Sequence, residues 1–281
     1  MARFGGLDLT STTKTALRRA RSLARRLRAA GRAPTSATHV EPTSAPTGGT
    51  HTTTYEGLYE AHARSTGDDG VGGGDYEVMG EIELDIVRAE GLGSASTLLD
   101  FGCGNGRLGV HAVRFLREGT YVGVDIAPTF LAHAAARLAP VAASSACVVR
   151  LLHQTDEHFD IADGSVDVAC AFSVFTHMEH EDMYRYLVQL RRVVRPGGAL
   201  VISCLPLDLA DARGLFLAEA SLDPVARWQR VRNITTSVDL VNAIAALAGW
   251  QVRAWYPGDE DQATSETGER RRLGQSIVVL Q

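Results

Sequence analysis

The 281-residue chain is 45% hydrophobic and 22% charged, with a net charge of −5, the balance of a globular protein and too apolar for a disordered one. No apolar run approaches the roughly 20 residues that a membrane-spanning helix needs, and the first residues lack the apolar stretch of a secretory signal. Charge is unevenly placed: residues 1–40 hold nine Lys/Arg and one acid (+8), leaving 19 basic and 32 acidic residues (−13) on the remainder, which argues against a body that reads nucleic acid.

Residues 14–32, KTALRRARSLARRLRAAGR, place Leu17, Ala20, Ala24 and Leu27 on one face at helical spacing with arginines around the rest. Such a basic helix suits an anionic membrane surface, a partner protein, or plain solvent. Residues 33–53, rich in Thr, Pro, Ala, Ser and Gly, read as a disordered linker. The expected organisation is a basic helix and linker over 1–53 and one folded domain over 54–281.

The domain opens with a helical stretch, YEGLYEAHA, a glycine-rich loop from Gly67 to Gly74, and a helix over Tyr76–Glu90 whose apolar side carries Ile82, Leu84, Ile86 and Val87. Strand and helix then alternate. TLLDF, YVGVDI, CVVRLLH, SVDVACAFS and ALVISCL are strands; GRLGVHAVRFLRE, PTFLAHAAARLA and HEDMYRYLVQLRRVV are helices, the last ended by Pro196-Gly197-Gly198. This rhythm implies a parallel sheet covered on both faces. Residues 208–236 read as an irregular, partly helical insertion. A helix (SVDLVNAIAALAG), a strand (WQVRAWYP), a polar loop over 258–272 and a last strand (GQSIVVLQ) follow. No helix separates those two strands, so they should pair antiparallel. Cys103, Cys147, Cys170 and Cys204 show no CxxC spacing and read as buried free thiols in a reducing cytoplasm.

Asp100-Phe-Gly102-Cys103-Gly104-Asn-Gly106 stands where the first strand turns into a helix. Glycines there permit unusual torsions and close approach of a ligand to the main chain, and the helix N-terminus beyond favours an anionic group. Asp125, 21 residues after Gly104 at the end of the second strand, is placed to accept hydrogen bonds from ribose hydroxyls. Gly104-Asn-Gly106-Arg-Leu-Gly109 also fits the dinucleotide fingerprint GxGxxG, so an NAD-dependent oxidoreductase is one alternative. Against it, a carboxylate at Asp100 repels a diphosphate and attracts a sulfonium or ammonium, and the glycine set counted from the strand end is Gly102/Gly104/Gly106, which puts Arg107 where the dinucleotide pattern wants glycine.

Taken in order, LLDFGCGNGRLG, YVGVDI, VDVACAFSVFTHM and LRRVVRPGGALVIS resemble the class I S-adenosylmethionine (SAM)-dependent methyltransferases over about residues 75–205. VGGGDYEVMG, SVFTHM and GQSIVVL are similar to actinobacterial members that include sugar and polysaccharide O-methylating enzymes. The resemblance implies a Rossmann-like, doubly wound α/β fold with a seven-stranded sheet, mostly parallel with an antiparallel last strand. It implies SAM across the ends of the first, second and fourth strands. Asp100, Gly102, Cys103, Gly104 and Gly106 would flank its methionyl part, Asp125 its ribose, and Ile126 its adenine, with Phe172 at the end of the fourth strand. The position contacting the adenine amine falls within Gln154, Thr155 and Asp156, and Gly73 and Asp75 are candidates to close over the cofactor.

The loop SVFTHMEHED opens beyond the fourth strand, where α/β enzymes place their sites. His177 within it has the pKa range of a general base, and no metal is expected, although His177 and His180 with the neighbouring acids would also fit a metal site. Residues 55–75 and the insertion 208–236 should wall an acceptor pocket, with Tyr55, Tyr59, Trp228, Arg227, Arg230 and Arg232 available. The leading expectation is O-methylation of a small-molecule or glycan hydroxyl (sugar, glycolipid or secondary metabolite) with no nucleic-acid partner. N-methylation of a small amine or amino sugar, and a non-catalytic SAM-binding module, remain open beside it.

Overall fold

The computed structural model describes residues 51–67 and 74–281. The basic helix at 14–32, most of the 33–53 linker, and Gly73 lie outside the described residues. The linker's last residues, His51–Thr53, instead begin a helix.

Helix α1 (His51–Thr66) and helix α2 (Tyr76–Ala89) precede the sheet. Asp75 caps α2 by accepting the Val78 N–H at 3.0 Å, and Ile82, Ile86 and Val87 form its buried stripe. The alternating units follow: β1 (Thr97–Phe101), α3 (Arg107–Phe115), β2 (Thr120–Asp125), α4 (Pro128–Ala142), β3 (Val148–His153), β4 (Val166–Ala171), α5 (His180–Val193) and β5 (Val194–Cys204). Insertion helices α6 (Ala210–Ala220) and α7 (Pro224–Trp228) lead to α8 (Val238–Leu247), β6 (Val252–Tyr256), a small hairpin β7 (Ala263–Thr264) and β8 (Arg270–Arg271), and β9 (Ser276–Leu280).

Seven strands form one sheet in the order β3-β2-β1-β4-β5-β9-β6. The first five run parallel, and β9 lies antiparallel to both β5 and β6. Placing the last strand between two earlier ones requires only a tight return from β6, which the polar 258–272 loop supplies. That loop carries the β7–β8 hairpin, whose Arg271 pairs with Glu81 of α2 at 2.8 Å.

The sheet is a two-faced core, as its apolar runs require. Leu187, Leu190, Val241 and Trp250 pack on one face from α5, α8 and the turn after it. Ile86, Val113, Leu116 and Leu138 pack on the other from α2, α3, α4 and the turn following α3. At the edge, β3 is only partly covered, with Val148 exposed.

Pro196-Gly197-Gly198 does not sit between α5 and a later strand. It lies inside β5, which begins at Val194. Val194 pairs with Val166 and Ala199 with Val168, so the four residues between form a bulge. Gly197 adopts φ +78°, and a Cβ on Gly198 would meet Asp167 O at 2.7 Å. Proline and glycine are tolerated in a strand at such an irregularity.

Strand order runs outward from β1 to β3, then returns to β4 on the other side of β1. The reversal opens a crevice at the carboxyl ends of β1 and β4, where ligands of open α/β sheets bind.

The fold makes a stability prediction. Ile277 is fully buried in β9 between Ser203 and Tyr256, so Ile277→Ala should cost about 3 kcal/mol. Urea unfolding should show a lower midpoint with an unchanged slope.

Candidate functional site

The turn leaving β1 is built on left-handed backbone. Gly102, Gly104 and Gly106 adopt φ of +78°, +54° and +86°, torsions that cost a side-chain-bearing residue free energy. A Cβ on Gly102 would also stand 2.3 Å from Val174 Cγ2, so the loop passes against the one following β4. The Gly102 and Cys103 N–H groups donate to Val124 O at 2.8 and 3.0 Å. Asp125 completes the brace, taking the Gly104 N–H on Oδ2 at 2.8 Å and the Ala127 N–H on Oδ1 at 2.9 Å. Burial raises its pKa, and the backbone donors oppose that rise.

Asp100 ends β1 with 4% of its surface exposed. It accepts the Tyr121 hydroxyl at 2.7 Å and faces the Cys170 thiol at 3.7 Å. Burial pushes its pKa up to about 7, and the nearby Glu83 and Asp125 carboxylates add to the rise against the Tyr121 and Cys170 hydrogen bonds. Glu83 of α2 and Arg107 of α3 form an ion pair beside it, both almost wholly buried, with Arg107 Nε 3.3 Å from Glu83 Oε2.

These groups face one cavity of about 650 Å³, the size of a small-molecule site. Asp100, Gly102, Cys103, Gly104, Asp125, Ile126, Gln154 and Phe172 all line it. Gly106 sits behind the wall as the N-cap of α3. Three expected residues do not reach it. Asp75 is exposed and spent on capping α2. Thr155 and Asp156 are exposed on the loop after β3, where Asp156 accepts the His158 N–H at 2.9 Å. Gln154 donates to Asp156 O and His158 O, tying that loop down from the cavity side.

The cavity is also lined by Tyr55, Tyr59 and His62 of α1, His177 in the loop before α5, and Leu215, Arg230, Val231 and Asn233 of the insertion. Trp228, Arg227 and Arg232 do not line the cavity; the Arg232 guanidinium stacks on Trp228 and pairs with Glu179. Tyr55 is pushed up to about 12 by burial; its hydroxyl donates to Asp182 at 3.0 Å and accepts the Glu179 N–H at 3.2 Å. His177 Nδ1 lies 2.7 Å from Arg232 O. A carbonyl only accepts, so Nδ1 carries the proton and Nε2 the lone pair. Burial holds the His177 pKa below the ordinary histidine value against that hydrogen bond. Among the described residues no three His, Cys, Asp or Glu side chains converge as metal ligands.

Four cavity or support residues escaped the sequence reading. Tyr121 begins β2 as an apparent core aromatic, and Glu83 is a single charge on the buried face of α2. Gln275 lines the cavity from the turn before β9, donating to Ser173 Oγ at 3.0 Å, while Ser203 Oγ donates to Gln275 at 2.6 Å and accepts the Ser173 N–H at 2.7 Å. That network holds Ser173 at φ +57°, a strained torsion for a residue with a side chain. The signal available for Glu83 was its place among apolar neighbours; Gln275 had none beyond its position near a strand end.

The fold and crevice have the arrangement of class I SAM-dependent methyltransferases, and the residues present fit that cofactor. The glycine cradle leaves no room for a Cβ at Gly102, and the buried Asp100 carboxyl faces the cavity with two further acids, Glu83 and Asp125, acting on it. Residues 98–198 match the methyltransferase domain family, and this part of the chain is a SAM-dependent methyltransferase domain. Among curated relatives, the tRNA U34 carboxymethyltransferase of Methylococcus capsulatus is 28% identical over 179 residues, 63% of this chain and 50% of that protein. The small RNA 2'-O-methyltransferase of Arabidopsis thaliana is 38% identical over 92 residues, 31% of this chain and 10% of that protein. The chain thus spans half or less of these relatives' length. In fold it is similar to the magnesium protoporphyrin IX methyltransferase of Synechocystis solved with bound SAH, the demethylated cofactor, at TM-score 0.56 and 15% identity, covering 82% of this chain and 98% of that one.

An acid whose folded pKa is raised favours the fold while protonated and loses that advantage as pH climbs through the folded value. A rise from 3.8 to about 7 at Asp100 corresponds to a cost on the order of 4 kcal/mol above neutral pH. Asp100→Asn should therefore unfold at higher temperature than the parent at pH 8 in the absence of cofactor, with little difference at pH 4. The same variant should bind SAM at least about tenfold more weakly, the loss of one charge interaction at a buried site. Differential scanning fluorimetry and titration calorimetry check the two halves.

Proposed function

We propose that residues 54–281 form an O-methyltransferase domain acting on a small-molecule or glycan hydroxyl (a sugar, glycolipid or secondary metabolite), with His177 as general base and 208–236 as its substrate-side insertion. The observation that carries this reading is the His177 Nδ1 contact to Arg232 O in the wall of the cavity shared with Asp100 and Asp125. It fixes the tautomer a base requires.

Bound SAM supplies an electrophilic methyl group on a sulfonium. Asp100 and Asp125 with the glycine turn hold and orient that donor, and Arg107, positioned by Glu83, offers the cation for a carboxylate at the same end. That methyl group would be open to in-line displacement by the acceptor oxygen, the electron pair of the broken carbon–sulfur bond staying on sulfur. The hydroxyl proton passes to His177 Nε2. Alignment supplies much of the acceleration, and the base adds to it.

A small acceptor is supported by the size of the cavity and by its partial roof of α1 and the insertion. Two relatives carry names with RNA acceptors, but the −13 charge of residues 41–281 disfavours a polyanion. The narrower likeness to sugar O-methylating enzymes agrees with a hydroxyl acceptor. No described helix is long and apolar enough to cross a membrane.

His177→Gln should leave SAM affinity unchanged and lower kcat by about 100-fold or more, the usual contribution of a positioned base. Because burial depresses the His177 pKa, the parent's rate should fall only below the ordinary histidine range and stay level from pH 7 to 9. Near-normal turnover by the variant, or methylation of amines alone, would remove the hydroxyl-and-base reading.

A further inference from the structure

Glu219 sits in the last turn of α6 with 7% of its surface exposed. A carboxylate is disfavoured there twice, by burial and by the negative end of the helix dipole. Its Oε2 is buried without a hydrogen-bond partner. Oε1 is engaged: it accepts the Asn233 N–H at 3.0 Å and the Asn233 side-chain amide at 3.4 Å, and Arg230 Nη1 stands 3.6 Å away. Every one of these contacts is to residues 230–233, a strap that crosses the loop carrying His177.

The strap touches that loop at two backbone points. Ile234 N–H donates to Thr176 O at 2.7 Å, and Arg232 O meets His177 Nδ1 at 2.7 Å. Arg232's own side chain is held by Glu179 and Trp228. The carbonyl that sets the His177 tautomer thus belongs to a segment without regular structure, and the residue after it is fastened to a buried carboxylate on α6.

We propose that Glu219 is a positioning residue for His177: by anchoring Asn233 it holds the Arg232 carbonyl against Nδ1, keeping the imidazole lone pair on Nε2 and facing the cavity. This rests on the reading of His177 as the base. It explains why an acid occupies a buried, helix-C-terminal position: an apolar residue there would leave the Asn233 N–H without its partner. The charged and titratable groups around His177 are His62 of α1, Glu219 of α6, Arg230 and Arg232 of the strap, and Glu179 of its own loop. Of these, Glu219 raises the His177 pKa and His62 lowers it.

The test needs no acceptor. Nitrogen-15 NMR of the histidine rings in the full chain saturated with SAH, with His177 assigned from the His177→Gln spectrum, reads tautomer and titration midpoint together. Glu219→Gln keeps an oxygen for the Asn233 N–H and loses the charge, so His177 should retain its Nδ1–H tautomer and titrate at lower pH. Glu219→Ala loses the anchor, and His177 should become a mixture of tautomers. A Glu219→Gln spectrum without the downward shift overturns the proposal, including where Glu219→Ala does not fold; so does a folded Glu219→Ala protein with the parental tautomer. A proton on Nε2 in the parent would instead overturn the base reading itself.

Discussion

The arrangement depends on a buried carboxyl group, Asp100, that is paired with no cation among the described residues. Asp100 is anchored by a phenol and a thiol, neither of which can neutralise it, and the charged groups that act on it, Glu83 and Asp125, are themselves acids. Removing a charge from water without a partner is among the costliest things a fold can do. The protein tolerates this at the one end of its sheet where strand order reverses and a cavity opens. A cationic methyl donor would supply the missing partner; a diphosphate would deepen the conflict. The surrounding design follows, with glycines that let main chain approach and Asp125 tying the glycine turn to the end of β2.

The rest of the cavity wall is assembled from distant parts of the chain. His177 comes from the loop after β4, Tyr59 and His62 from α1, and the carbonyl that orients His177 from the insertion after β5. The turn before β9 contributes through Gln275, which with Ser203 holds Ser173 in its strained torsion. A central sheet that carries a locally built glycine turn beside loops from distant segments lets one part of a cavity be set independently of the other.

Much of this was legible in the sequence because it is local. Glycine spacing against strand ends located Asp100, the cradle and Asp125, and apolar runs located the strands. The antiparallel pairing of β6 with β9 followed from two strands with no helix between them. Long-range effects were not legible. Asp75 and Asp156 carry a suitable charge near the site, but each satisfies its own backbone, one as a helix cap and one in a loop turn. Pro196-Gly198 reads as a helix stop and is a bulge within β5, because its meaning depends on pairing with β4. Tyr121, Glu83 and Glu219 have roles only through partners roughly 14 to 24 residues away, and no periodicity marks them.

The most direct test of the central claim is the proton balance of cofactor binding. With Asp100 titrating at about 7, SAM binding at pH 7 should expel about half a proton, because the bound cation holds the carboxylate ionised. Calorimetry in phosphate and in Tris, whose ionisation heats differ widely, should give apparent enthalpies that diverge accordingly, while Asp100→Asn gives none of that difference. Buffer-independent heats in the parent protein, or comparable binding of NAD, would contradict the account.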